Sequence, residues 1–214
     1  MKIVDIPLEW LYTQGEGVRV GIVDTHCDID HPLLKDRIET YTRAIHDRDY
    51  GKEHCTHIAG LIASIAPKCR IDIAQALFMG DGSSDSVANS IVCLTNEGVD
   101  VINLSLALSE DFPCVRDAIK DALSKNIIVV GAVSNDGLTD YPAAYTGVLS
   151  VSAYGEGEAD IYTEEKLWSS MPGGGYAYQR GHSMSTGCCS GVVALARSFD
   201  KTMNRDKFIV RLLK

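Results

Sequence analysis

Five short runs rich in Val and Ile, near residues 18–23, 70–77, 100–104, 127–133 and 148–153, alternate with stretches of helical periodicity near 56–65, 84–97 and 112–125. Nearly continuous apolar runs of this length belong to strands buried on both faces, and parallel neighbours need a crossover that the intervening helices supply. The chain is therefore predicted to be α/β, a three-layer α/β/α arrangement around a mainly parallel central sheet. Ligands in such sheets bind beyond the carboxyl ends of the strands. A short helix over 6–13, a hairpin over KLWSSMPGGGYAYQR (residues 166–180) turning at Gly173 to Gly175, and a final helix near 204–213 complete the reading. At 214 residues and 45% hydrophobic, the chain can bury one substantial core. No repeat or linker divides it, so residues 1–214 are read as one domain.

Three polar residues sit at the ends of these elements. VRVGIVDTH (residues 18–26) closes its apolar run on Asp24, a carboxylate at the end of a buried strand. HCTHIAGLIAS opens on His54 and carries Ile58, Leu61, Ile62 and Ile65 at helical spacing, which puts His54 at a helix start with the packed face below it. In RGHSMSTGCCSGVVALARSF, Ser183 lies just after Gly181 and before a helix-like segment, whose first amides favour negative charge. A serine hydroxyl is a poor nucleophile at neutral pH. It needs a neutral imidazole to take its proton and a buried carboxylate to fix the imidazole tautomer. IIVVGAVSNDG (residues 127–137) adds an apolar strand ending at Asn135, whose amide suits an oxyanion donor; removing such a donor typically costs roughly 3–4 kcal/mol. Together these residues read as a serine peptidase.

Chain order narrows the choice. An α/β-hydrolase needs its histidine after the nucleophile, but His26, His31, His46, His54, His57 and His182 all precede Ser183. GHSMS (residues 181–185) also lacks the second glycine of a nucleophile elbow. A His54, Asp, Ser183 order on an antiparallel barrel conflicts with the alternation of strand and helix. The order Asp, His, Ser remains.

At these residues the chain resembles the subtilase, or subtilisin-like, family, whose known triad order it matches. GIVDTHCDIDHPLL is similar to the family's Asp motif, HCTHIAG to its His motif and GHSMSTG to its Ser motif. VDVINLSL (residues 99–106) resembles the substrate-binding strand, VSNDG the oxyanion segment and YPAAYTGVLSVSAY the stretch that follows it. The resemblance covers nearly the whole chain. It implies Asp24 as triad acid, His54 as base, Ser183 as nucleophile, Asn135 as oxyanion donor and His57 as a structural neighbour. It also implies that a substrate strand adds beside Ser105, Leu106 and Ala107 and beside Gly80, Asp81 and Gly82, with Ser134 close by.

The chain departs from the family in ways that carry expectations. LIASIAP (residues 61–67) runs directly into the next strand where many subtilases insert a calcium-binding loop, so no metal is expected there. The segment between Asn135 and Tyr141 is short, which implies a shallow or open pocket for the residue before the cleaved bond. The sequence stops at the helix 204–213, short of the family's usual closing strand and helix; a second copy or a partner subunit is expected to cover that truncated side. His26, Cys55, His182, Ser185 and Gly187 stand where the family prefers Gly, Thr, Ala and Pro, and Ala107 and Leu108 replace a Gly pair. His182 could donate to an oxyanion, obstruct the cleft or disturb the proton relay.

Composition excludes other classes. A net charge of −9 with no Lys or Arg run argues against nucleic acid or an anionic membrane as partner. No apolar stretch reaches membrane-span length, and Asp5, Pro7 and Glu9 interrupt any signal core in MKIVDIPLEW. Seven cysteines at irregular spacing, with Cys55, Cys188 and Cys189 in apolar segments, fit reduced thiols in a cytoplasm. His26, Cys27, His31, His54, Cys55 and His57 match no zinc spacing, so neither metal nor other cofactor is expected. The sequence thus points to a cytoplasmic endopeptidase acting on a peptide or protein, with dedicated precursor processing as the expected role and a catalytically impaired peptide-binding module of the same fold as the alternative.

Overall fold

A computed structural model describes residues 6–43, 51–133, 141–153 and 158–212. After one 3₁₀ turn (Leu8–Tyr12) the elements run β1 (Arg19–Asp24), β2 (Ile38–Arg43), α1 (Glu53–Ile65), β3 (Arg70–Gln75), α2 (Ser84–Glu97), β4 (Val101–Leu104), α3 (Pro113–Ser124), β5 (Ile128–Ala132), β6 (Leu149–Ala153), β7 (Ile161–Thr163), β8 (Lys166–Met171), β9 (Gly175–Arg180), α4 (His182–Phe199) and α5 (Arg205–Leu212). Seven strands form one sheet in the order β2-β3-β1-β4-β5-β6-β7, and every pairing in it is parallel. The order reverses between β1 and β4, which opens a crevice beyond their carboxyl ends. Asp24 closes β1 and Ser105 follows β4, so both stand at that crevice.

Strand residues divide between two cores by the pleat. Val20, Ile22, Ile71, Ile73 and Val130 pack with α1 and α4 on one face, whereas Ala74, Ile102, Leu104 and Val129 pack with α2 and α3 on the other. Each fully buried Ile or Leu, such as Ile22, Ile58 and Leu104, contributes roughly 1.5–3 kcal/mol through removal from water. The five apolar runs all form strands, and every predicted helix but the first forms within a few residues of its expected bounds. The helix expected over 6–13 is a single 3₁₀ turn. Two edge strands were not anticipated: β2 (IETYTR) is largely half-buried or exposed and lacks a clean apolar run, and β7 has three residues.

The hairpin β8–β9 forms as expected, with its turn at Pro172–Gly174, and it is pinned against the first turns of α1. Ser170 Oγ donates to Thr56 O at 2.7 Å and Ser169 Oγ to His57 O at 2.9 Å. Gly60 permits this approach, because a Cβ there would stand 2.0 Å from Ser170 Oγ and 2.4 Å from Ser169 Oγ. Alanine at Gly60 would gain about 1 kcal/mol in helix propensity. It would also displace two hydroxyls at about 1 kcal/mol each and overpack the contact by about 1–3 kcal/mol. Gly60→Ala is therefore expected to lower the melting temperature by several degrees; an unchanged thermal melt would mean that the serines turn aside at no cost.

Candidate active site

Asp24 is fully buried where β1 ends, and its Oδ1 accepts from Thr25 N at 2.6 Å and Thr25 Oγ1 at 3.0 Å. His54, the second residue of α1, presents Nδ1 at 2.9 Å from both carboxylate oxygens. Asp24 holds the imidazole proton on Nδ1 and leaves Nε2 as the basic nitrogen of the neutral ring. The ring stays about one-third exposed, at 35% of its side-chain surface, so it can meet a substrate. The negative charge of Asp24 raises the His54 pKa above its ordinary 6.5, more than desolvation lowers it, and their hydrogen bond adds to the rise.

That shift has opposite consequences for activity and stability. A base must be neutral, so kcat/KM is expected to rise with pH through an acid limb whose apparent pKa lies above 6.5. The stabilisation from the charged pair is fully present below the unfolded-state pKa and is lost as pH rises through the folded value. A pH–rate profile measured beside thermal melts checks both directions, and an acid limb below 6.5 would contradict the pairing.

Ser183 is the second residue of α4, so its amide is among the four that a helix leaves without an internal partner. Gly181, just before the helix, has φ 128° and ψ 166°, a backbone region essentially confined to glycine. Among the described residues, Ser183 Oγ donates to Ser105 O at 3.1 Å and makes no hydrogen bond with His54. Ser105 Oγ in return donates to Ser183 O at 3.1 Å, so the end of β4 and the first turn of α4 clasp each other.

Beside this clasp lies a cleft of about 700 Å³. Its lining includes His54 and the expected Gly80, Asp81, Gly82, Ser105, Leu106 and Ala107. Ser134 and Asn135 lie outside the described residues, as does the short segment up to Tyr141. Sequence reasoning missed Leu77, Met79, Phe112 and Gln179, which also line the cleft. Only Gln179 had a signal, since the predicted hairpin leads directly into Gly181.

The unusual residues around the site are engaged elsewhere. His182 is buried, and its Nδ1 accepts from Ala153 N at 2.9 Å, tying α4 to the end of β6. His31 donates from Nε2 to Gly175 O at 3.1 Å and accepts from Leu33 N at Nδ1. His57, whose pKa burial lowers, reaches Ala177 O through Nε2 at 3.2 Å. His26 pairs with the hydroxyl of Tyr41. Among the described residues no three His, Cys, Asp or Glu side chains converge as a metal site would. All seven cysteines are free thiols, and a hydrogen bond with Cys27, together with burial, pushes the Cys55 thiol well up.

A paired carboxylate and imidazole, with a helix-start serine beside a cleft, can perform nucleophilic chemistry on a carbonyl. The family model of the Subtilase family matches residues 15–213. An intracellular serine protease of Paenibacillus polymyxa is 32% identical, over 100% of this chain and 78% of its own length. The major intracellular serine protease of Bacillus subtilis (strain 168) is 30% identical, over 94% of this chain and 75% of its own length. Among solved structures, a cold adapted subtilisin-like serine proteinase superposes with a TM-score of 0.83 at 20% identity, covering 92% of this chain and 81% of that one. Sphericase superposes with a TM-score of 0.82 at 21% identity, covering 93% and 83%. The chain belongs to the subtilase family of subtilisin-like serine proteases.

Proposed function

We propose that the protein is a serine endopeptidase in which Asp24, His54 and Ser183 act as acid, base and nucleophile on an extended peptide. The observation that carries this reading is the Asp24–His54 pair at the head of the cleft, with Ser183 clasped to a residue of its wall. The substrate adds as a strand between Ser105–Ala107 and Gly80–Gly82. Ser183 Oγ leaves Ser105 O, gives its proton to His54 Nε2 and bonds to the substrate carbonyl carbon. The imidazolium, stabilised by Asp24, returns that proton to the leaving amine, and water releases the acyl group by the same route. Asn135 and the Ser183 amide serve as oxyanion donors, so Asn135→Ala is expected to lower kcat by ~10²–10³ with little change in KM. Steady-state kinetics on titrated active sites checks this, and an unchanged kcat would remove Asn135 from the mechanism.

A cytoplasmic enzyme with a narrow, precursor-processing role is the setting we favour. Both relatives described above are named intracellular proteases, and among the described residues no helix is long and apolar enough to cross a membrane. A second reading, a peptide-binding module without turnover, draws support from the Ser183 hydroxyl resting on Ser105 O and not on His54. Reaction with a fluorophosphonate probe separates the two. Labelling that disappears in Ser183→Ala supports the peptidase, and no labelling of folded protein supports the binding module.

A further inference from the structure

Asn103 places a fully buried carboxamide in the middle of β4, a strand whose other residues are Val101, Ile102 and Leu104. A carboxamide accepts at one end and donates at the other. Ser190 Oγ, two turns along α4 from Ser183, donates to Asn103 Oδ1 at 2.9 Å. Asn103 Nδ2 donates to Ser105 Oγ at 2.9 Å. Because that bond occupies Ser105 Oγ as acceptor, the serine's own proton is directed onward, to Ser183 O at 3.1 Å.

We propose that Ser190, Asn103 and Ser105 form a directional hydrogen-bond relay that positions the nucleophile. The polarity of the Asn103 amide sets the sense of every bond in the relay, and its last link latches the first turn of α4 to the end of β4. The Ser183 hydroxyl is thereby held at a fixed offset from the Ser105 carbonyl. An apolar side chain would fill this place in β4 without needing partners, whereas a buried amide is tolerated only when both ends are satisfied. Here both are, and the chain of bonds ends on the backbone of the reacting serine. The inference rests on the peptidase reading given above, with Asn103 and Ser190 as positioning residues that never touch substrate.

The relay predicts a specific failure. Asn103→Asp keeps the shape but replaces the donating end with an acceptor, so Ser105 Oγ turns its proton to the carboxylate and releases Ser183 O. Ser105→Ala cuts the same link without adding charge. Each is expected to lower kcat roughly tenfold with KM within about twofold, since small displacements of a nucleophile are costly. The double variant should be no slower than the slower single one, because both changes break one link. Independent structural damage would instead multiply the two losses, and kcat is taken per folded, titrated site. Should Asn103→Asp fail to fold, Ser190→Ala combined with Ser105→Ala gives the same cycle. Wild-type kcat in Asn103→Asp, or multiplied losses in the double variant, would overturn the relay while fluorophosphonate labelling of the wild type still upheld the peptidase. A wild type that is folded, inactive and unlabelled would overturn the peptidase reading and the relay with it.

Discussion

Ser183→Ala is expected to lower kcat by ~10⁶ while leaving peptide binding and the thermal melt nearly unchanged, because the residual rate then comes only from substrate binding and oxyanion donors. In the proposed mechanism the change removes the atom that forms the acyl bond. It also removes one side of the clasp, the hydrogen bond from Ser183 Oγ to Ser105 O. The other side, from Ser105 Oγ to the Ser183 carbonyl, uses the backbone and survives. Stability should therefore fall by no more than about 1 kcal/mol, the worth of one hydrogen bond. Turnover within tenfold of wild type, on protein free of wild-type contamination, would mean that another group is the nucleophile.

Asp24→Asn should cost about 10⁴ in kcat, although it changes a single atom. Asp24 accepts from Nδ1 of His54 and so leaves Nε2 to act as base. An amide in its place can donate to Nδ1, which moves the ring proton to Nε2, the nitrogen that accepts from serine in the proposed mechanism. The same substitution removes the charge that raises the His54 pKa. NMR titration of His54 should then give a lower value than in the wild type, and the acid limb of any residual activity should move down with it. A large loss of kcat with an unshifted His54 would show that the carboxylate matters for packing alone.

Much of this geometry was legible in the sequence, for identifiable reasons. β1 and β3 to β6 are largely buried on both faces, so apolar residues dominate them despite Asp72 in β3, Asn103 in β4 and the serines of β6, and they carry the fold class. Asp24 was visible as the polar residue that stops such a run, and His54 as the polar start of a helix whose Ile58, Leu61 and Ile62 face the core. The edge strands β2 and β7 lack that signature because, among the described residues, one side of each has no neighbour in the sheet. The pairing of Asp24 with His54 came from resemblance, since residues so far apart in the chain leave no local trace of their contact. Destinations of individual polar side chains were least accessible. His182, three alternatives in the sequence, is buried at the start of α4 and bonded to the end of β6, and Asn103 gave no sign of reaching two serines, one of them on α4.

The proposed peptidase activity stands on a covalent acyl intermediate that Ser183 forms with the help of His54 and Asp24. Rapid acid quench of the protein turning over an activated peptide ester, followed by intact-mass and peptide mapping, tests it most directly. The expected adduct approaches one acyl group per chain, is confined to the peptide that carries Ser183 and is absent in Ser183→Ala. Folded wild-type protein that binds the ester yet carries no acyl group, or carries it on a different residue, would contradict it.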